Sequence, residues 1–172
     1  LVAAGAEVNK TNNDGNTPLH RASIDGHSEV VNVLVAAGAE VNKTNRYGNT
    51  PLHNASRYDR LEVVNVLVSA GAEVNKTNNY GRTPLHWASI YGRLEVVNVL
   101  VAAGAEVNKT NNIGDTPLQW ASIDGHSEVV NVLVAAGAKV NKTNNDGDTP
   151  LHRGSYEGHL EVVNVLVAAG AE

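Results

Sequence analysis

The tripeptide Thr-Pro-Leu occurs five times, each copy 33 residues after the one before, and this spacing constrains the fold more than any other feature. A fixed period of this length indicates stacked supersecondary units, each of which buries its apolar surface only against its neighbours. We therefore expect one elongated domain over residues 1–172. Its expected parts are the tail of a preceding repeat at 1–11 and five repeats at about 12–44, 45–77, 78–110, 111–143 and 144–172.

Each repeat has the pattern of two short helices. Thr17 suits the N-cap because its hydroxyl can accept a hydrogen bond from a free backbone N–H, and Pro18 suits the first turn. Gly26 is expected to end this first helix. A second helix is expected from about Ser28 to Ala37, ending at Gly38, and it is apolar on most sides. Such a helix must be buried between neighbours, so the sequence predicts an all-α stack of helix pairs.

The repeated sequence resembles the ankyrin repeat in length and in motif. The resemblance is carried by TPLH at 17–20, 50–53, 83–86 and 149–152, TPLQ at 116–119, EVVNVL, and GAEVN at 38–42. It covers essentially the whole chain. The resemblance implies an all-α solenoid of helix-turn-helix units with β-turn fingers, whose fingers and first helices line a concave face that binds other proteins. It also implies that the TPLH histidine makes hydrogen bonds between neighbouring repeats.

Positions that differ between repeats lie three and one residues before the Thr-Pro-Leu threonine and four, seven and eight residues after it. The last three are spaced i, i+3, i+4 and therefore share one face of the first helix, while the other two precede that helix in the turn. Variation is thus predicted to occupy one continuous surface. The opposite face hardly changes, since Glu29 and Asn32 have identical counterparts in every repeat.

Both tryptophans and all five tyrosines stand at these variable positions. Trp, Tyr and Arg dominate binding hot spots, and aromatic side chains give a large contact area with few torsions to freeze. The sequence therefore predicts a partner-binding surface. Its predicted residues are Tyr47, Arg57, Tyr58, Tyr80, Arg82, Trp87, Ile90, Tyr91, Ile113, Asp115, Trp120, Ile123, Asp124, Arg153 and Tyr156.

The charges of the variable positions change along the chain. Arginines concentrate in repeats two and three, acidic residues concentrate in repeats four and five, and aromatic and apolar residues fill the middle. We therefore expect a protein partner with an apolar protrusion at its centre, acidic groups opposite repeats two and three, and basic groups opposite repeats four and five. Charges at the rim of such a contact mainly set the association rate and the specificity.

Composition argues against other kinds of function. A net charge of −5 disfavours nucleic acid as a partner, and the absence of cysteine excludes a thiolate metal site or a cysteine nucleophile. The seven histidines lack metal-ligand spacing, and no motif combines an acid, a base and a nucleophile. We expect no enzyme activity, no cofactor and no metal. No apolar run approaches 18 residues, so no membrane association is expected, and no targeting signal is visible in this soluble, cytoplasmic type of sequence.

A constant framework with diversity on one face resembles designed ankyrin repeat proteins and predicts an engineered protein-binding scaffold. Two alternatives stay open, namely a structural repeat array without a partner and a natural ankyrin array that mediates protein–protein interaction. Neither end shows a polar capping repeat, which predicts either caps outside this span or weak end-to-end association of the monomer. Gly154 replaces the alanine of the other four first helices and predicts fraying of the fifth repeat.

Overall fold

The computed structural model describes residues 5–172, so the first four residues of the expected tail at 1–11 lie outside the described part. Over the described residues the chain forms ten α-helices and no strand, which confirms the all-α prediction. The helices are α1 (Pro18–Asp25), α2 (Ser28–Ala36), α3 (Pro51–Arg57), α4 (Leu61–Ser69), α5 (Pro84–Ile90), α6 (Leu94–Ala102), α7 (Pro117–Ile123), α8 (Ser127–Ala135), α9 (Pro150–Tyr156) and α10 (Leu160–Ala168). From residue 5 onward, no helix has the length and apolar character that a bilayer crossing requires.

Every odd-numbered helix begins with the same capping motif. The Thr17 hydroxyl accepts a hydrogen bond from the backbone N–H of His20, while His20 Nδ1 accepts one from the backbone N–H of Thr17 at 3.1 Å. This reciprocal pair is a capping box, and proline follows the cap in every repeat. The predicted threonine N-cap is therefore confirmed.

The predicted helix ends are close to those observed. Gly26 ends α1 in the left-handed conformation, with φ of 84°, and its N–H donates to the Ala22 carbonyl. The second helix ends at Ala36, one residue before the predicted end, and Gly38 follows with φ of 86°. The short link between the paired helices makes them antiparallel neighbours.

The core is a set of rows that run along the stack. The leucine of each Thr-Pro-Leu motif is fully buried in the first four repeats, and so is a valine row in the second helices that includes Val64 and Val97. Full burial of each such side chain stabilises the fold by about 1.5–3 kcal/mol. Helix α2 departs from the prediction of full burial, because Val30 is half exposed where its equivalent Val63 is buried. At the opposite end of the described stack, Leu160 of α10 is exposed.

Hydrogen bonds between repeats fix the register of the stack. His20 Nε2 donates to the Asn49 carbonyl at 3.0 Å, and His53 and His86 make the same bond to the next repeat, which confirms the expected role of this histidine. On the opposite edge, Asn42 Nδ2 donates to the Gly71 carbonyl and its Oδ1 accepts from the next repeat. Each repeat is thereby held to its neighbour on both sides of the leucine row.

Candidate functional site

The turns before the odd-numbered helices form fingers that are tied to one another. Asn45 Oδ1 accepts hydrogen bonds from the backbone N–H groups of Tyr47 and Asn49 and thereby shapes its own finger. Neighbouring fingers share one backbone hydrogen bond, such as that from Asn79 N–H to the Tyr47 carbonyl at 3.1 Å. The three variable side chains that this pairing sets side by side are called the finger row. The finger row consists of Tyr47, Tyr80 and Ile113, each about half exposed.

Beside the finger row, arginine and tryptophan side chains from three repeats lie against one another. Arg82 Cζ lies 4.9 Å from the ring centroid of Trp87 and 4.7 Å from that of Trp120. Arg57 Cζ lies over the same Trp87 ring, also at 4.9 Å. These four residues, Arg57, Arg82, Trp87 and Trp120, are called the Arg–Trp cluster. Cation–π contacts of this kind are each worth about 0.5–2 kcal/mol.

Tyrosines surround the Arg–Trp cluster. Tyr91 stacks on Trp87 with an angle of 15° between the rings, and Arg57 Cζ lies over both Tyr58 and Tyr91. Arg82 Cζ lies 6.0 Å from the Tyr80 ring, so the cluster is continuous with the finger row. The structure therefore brings together most of the predicted site residues of repeats two to four.

The centre of this surface is more polar than the sequence predicted. We expected an apolar and aromatic centre, but two guanidinium groups lie over its rings, and Trp87 is only 8% exposed. The signal was available in the sequence, because positions one before and four after the threonine lie next to each other across neighbouring repeats. Arg82 of the third repeat, for example, lies over Trp120 of the fourth.

Hydrogen-bond donors in and beside the cluster lack acceptors. Asn54 Nδ2, Trp87 Nε1 and Trp120 Nε1 are buried without an acceptor among the described residues, and so is Arg82 Nε. Neither Arg57 nor Arg82 has a carboxylate within 4.0 Å in this part of the chain. Burial lowers the pKa of Arg82 from its ordinary value, as expected for a cation without a close counter-ion.

Asp115, one of the predicted surface contacts, lies inside the protein. It is 0% exposed, and its Oδ1 accepts a hydrogen bond from Asn144 Nδ2 at 2.8 Å. Burial raises the pKa of this carboxyl, against the opposing effects of Asn144 and Arg153. Full burial argues against the direct partner contact that the sequence suggested. The signal missed was the asparagine at this position in repeats one and two, which accepts the same bond from the next finger.

In repeats four and five, the charged variable positions carry mainly carboxylates, in contrast to the arginines of repeats two and three. Arg153 lies within 4.0 Å of three carboxylates, with its Nε 3.5 Å from Asp148 and its Nη2 near Asp115 and Asp146. Ile123 is partly buried, whereas Asp124 and Tyr156 are exposed. Partial desolvation raises the pKa of Asp124, and the nearby His126 and His159 oppose this effect. Arg153 is thus already paired with carboxylates of its own chain.

Some variable residues prove to link repeats. Arg60 Nε donates to the Ile24 carbonyl and Arg93 Nε to the Arg57 carbonyl. His126 Nε2 donates to the Ile90 carbonyl in the same place, at 2.9 Å. His126 thus stands in the turn before α8, and its ring bonds to the preceding repeat. Residues 5–172 contain no group of three or more side chains arranged to hold a metal ion.

Comparison with known families identifies the repeat. A family model described as ankyrin repeats in three copies matches residues 1–78 and 103–172. A second model, described as ankyrin repeats in many copies, matches residues 67–121. Between them the two models cover the chain from end to end. No curated protein matches it.

Proposed function

The chain belongs to the ankyrin repeat family, and we propose that it is a non-enzymatic binding module whose concave surface recognises a protein partner. The observation that supports this most directly is the continuity between the exposed finger row and the Arg–Trp cluster. Large aromatic and arginine side chains in one patch are the residues that contribute most to protein–protein binding energy. Apart from Trp87, none of the arginines and aromatic residues among the described residues is buried in the core.

Rigidity supports the same proposal. The fingers are joined by backbone hydrogen bonds, and the first helices are fixed by the histidine bonds between repeats. Side chains mounted on such a frame lose little conformational freedom on binding, so more of the contact energy appears as affinity. The proposed contacts, besides the finger row, are Arg57, Tyr58, Arg82, Ile90, Tyr91, Trp120, Ile123, Asp124, Arg153 and Tyr156, with Trp87 supporting them from beneath.

The chemistry of the surface indicates the chemistry of the partner. The finger row, with its half-exposed rings and isoleucine, favours apolar groups opposite the middle repeats. Unpaired Arg57 and Arg82 favour acidic groups opposite repeats two and three. The carboxylates around Arg153 and at Asp124 favour basic groups opposite repeats four and five.

We propose further that the chain is engineered from a repeated consensus and diversified for binding. The support is the contrast between the identical outer positions, such as Glu29 and Asn32, and the varied concave positions. A natural array with recently duplicated repeats is the alternative. The coding sequence separates the two, because a library leaves a restricted codon mixture at the variable positions, whereas natural duplication leaves synonymous changes scattered over the framework.

A displayed library of protein fragments, selected on the immobilised chain, tests the proposed binding function. Fragments recovered on the native chain are measured again on a concave variant, Y80A/W120A, and on a control variant with the exposed outer substitutions N65A/N98A. We expect binding to be lost on the concave variant and kept on the control. Fragments that bind the concave variant as well as the native chain, or no enriched fragment at all, would favour the structural array without a partner.

Exposed apolar side chains at both ends of the described stack favour weak self-association. Val30 of α2 and Leu160 of α10 are exposed at opposite ends, although their counterparts inside the stack are more buried. Weak end-to-end association thus stays a prediction. Sedimentation equilibrium over a range of concentrations distinguishes it from a monomer.

A further inference from the structure

The Arg–Trp cluster contains donors and positive charge without matching acceptors. Asn54 and Trp87 are both more than nine-tenths buried, and each has a side-chain N–H without an acceptor among the described residues. A buried donor without a partner loses its hydrogen bonds to water without replacement, so folded proteins leave few of them. Four N–H donors of this kind belong to Asn54, Arg82, Trp87 and Trp120, whereas Ser89 Oγ and the acceptor Asp115 Oδ2 are also buried without a partner in the described part of the chain. These four N–H groups are inaccessible from outside, so an external acceptor reaches the cluster only through the terminal nitrogens of its arginines.

The shape of the cluster restricts what that acceptor is. Arg82 Cζ lies over the rings of Trp87 and Trp120, so indoles occupy the space beside its flat guanidinium. The terminal Nη groups make no hydrogen bond to the described residues and are not buried. An arginine that is stacked in this way presents the N–H edge of its plane, and that edge matches the two oxygens of a carboxylate.

A second guanidinium strengthens the preference for an anion. Arg57 Cζ lies over the ring of Trp87 and over the ring of Tyr91, which stacks on Trp87. Burial and, to a smaller extent, the charge of Arg57 lower the pKa of Arg82, against the opposing effects of Tyr91, Asp115 and Tyr80. A carboxylate bound near both arginines would offset the repulsion between them.

Internal neutralisation by Asp115 does not explain the cluster. Arg82 and Asp115 hold equivalent positions in adjacent repeats, yet no nitrogen of Arg82 lies within 4.0 Å of that carboxylate. Asp115 instead accepts from Asn144 and lies 3.9 Å from Arg153. Asp115 Oδ1 is therefore engaged by Asn144, whereas its Oδ2 makes no hydrogen bond to the described residues and its charge raises the pKa of Arg82 without a close contact.

We propose that the Arg–Trp cluster is the seat for one glutamate or aspartate side chain of the protein partner, bound through the N–H edges of Arg82 and Arg57. This inference rests on the proposed function, because it specifies the chemistry of one contact in the concave surface. Sandwiching between indoles orients the guanidinium before binding, so the contact combines charge with a fixed direction.

Tryptophan fluorescence measures the contact directly, because both tryptophans of the chain belong to the cluster. The probes are a capped pentapeptide with one glutamate between glycines and its glutamine counterpart, titrated at constant ionic strength. We expect a saturable change of emission with the glutamate peptide and affinity weaker by about tenfold or more with the glutamine peptide. Equal responses to both peptides, no saturable response, or an equal response to sulfate would overturn the carboxylate seat.

Variants locate the response. R82Q and R57Q should each weaken the glutamate peptide by about tenfold, whereas K109Q removes the same charge from a framework position and should leave the affinity unchanged. R82K keeps the charge without the planar fork, so affinity equal to that of the native chain would contradict the proposed geometry. Thermal unfolding followed by circular dichroism verifies that each variant is folded.

The two proposals fail in different ways. If the peptide titration is negative while selected fragments still depend on Tyr80 and Trp120, the concave binding function stands and the carboxylate seat is wrong. If no fragment depends on the concave residues, the binding function itself falls, whatever the peptides do.

Discussion

Gln119 and His86 occupy equivalent positions in adjacent repeats and make the same pair of hydrogen bonds. Gln119 Oε1 accepts from the backbone N–H of its threonine N-cap at 2.8 Å, and its Nε2 donates to the next repeat at 2.8 Å. His86 makes the corresponding bonds at 3.1 and 3.2 Å. An amide that does not titrate thus fills the place of an imidazole that does. The capping and the link between repeats therefore require a neutral side chain with one acceptor and one donor.

Replacement of two buried histidines, H53Q/H86Q, should remove much of the acid sensitivity of the fold. Burial lowers the pKa of each to about 4, whereas the unfolded chain binds these protons near 6.5. Between these values the unfolded state holds more protons, so the free energy of unfolding falls as the pH drops. The loss by pH 4 is roughly 3 kcal/mol for each histidine. Urea unfolding across this pH window measures it.

The matched control is H152Q. His152 has the same place in the last repeat but is exposed, so H152Q makes the same replacement without removing a buried imidazole. If H53Q/H86Q loses stability between neutral pH and pH 4 as steeply as the native chain, the buried histidines are not the source of acid sensitivity.

Replacement of the buried carboxyl, D115N, should stabilise the protein at neutral pH by about 1 kcal/mol. Burial raises the pKa of Asp115, so its contribution to stability is greatest below the unfolded value and is lost as the pH rises through the folded value. An asparagine keeps the acceptor for Asn144, as Asn16 does for Asn45 in the first repeat. The gain should vanish in acid. Denaturant unfolding of D115N at neutral and acid pH tests both statements, and lower stability at neutral pH would contradict them.

The structure shows which features a repeated sequence can predict. The Thr17 cap and the Gly26 helix end follow from local chemistry, because the atoms that decide them lie within a few residues of each other. The environments of Trp87 and Asp115 depend on side chains one repeat away. The sequence predicted both as surface contacts, and it did not predict that guanidinium groups would cover Trp87 or that Asn144 would hold Asp115. Charge and hydrogen bonding between neighbours decided those details.

Substitution of the strained residue, D59G, should stabilise the second repeat. Asp59 is a non-glycine residue with positive φ, 59°, where other repeats have glycine. The bond from Arg93 beside it is 3.4 Å long, compared with 2.9 Å for the equivalent bond from Arg60. Relief of the left-handed strain is worth about 1–2 kcal/mol, less the extra entropy that glycine has in the unfolded chain, so we expect a net gain of about 0.5–1 kcal/mol. Thermal unfolding measures this gain.

The same replacement at a position with negative φ provides the control. Asp124 has φ of −93°, so D124G relieves no strain and should destabilise the protein slightly. If D59G and D124G have equal effects on the melting temperature, backbone strain at Asp59 is not important.

Replacement of Gly154 in α9, the first helix of the fifth repeat, by alanine (G154A) should slow the opening of that repeat. Glycine inside a helix costs about 1 kcal/mol relative to alanine, and Gly154 is buried in α9. A Cβ there would lie 3.0 Å from Val162 Cγ1, so this side chain must shift by a few tenths of an ångström. The equivalent Ala121 is fully buried in α7, which indicates that the stack accommodates the methyl group. We expect a gain of about 0.5–1 kcal/mol.

Native-state hydrogen exchange resolves this effect by repeat. In the native chain the amides of α9 should exchange faster than those of α7. G154A should slow exchange in α9 by about threefold or more and leave exchange in α5 unchanged. The effect is local because stability in a repeat stack passes mainly between neighbouring repeats. Equal protection of α7 and α9 before the substitution would mean that Gly154 does not weaken the last repeat. A loss of protection in α9 and α10 after it would mean instead that Val162 cannot move, and that glycine is required there by packing.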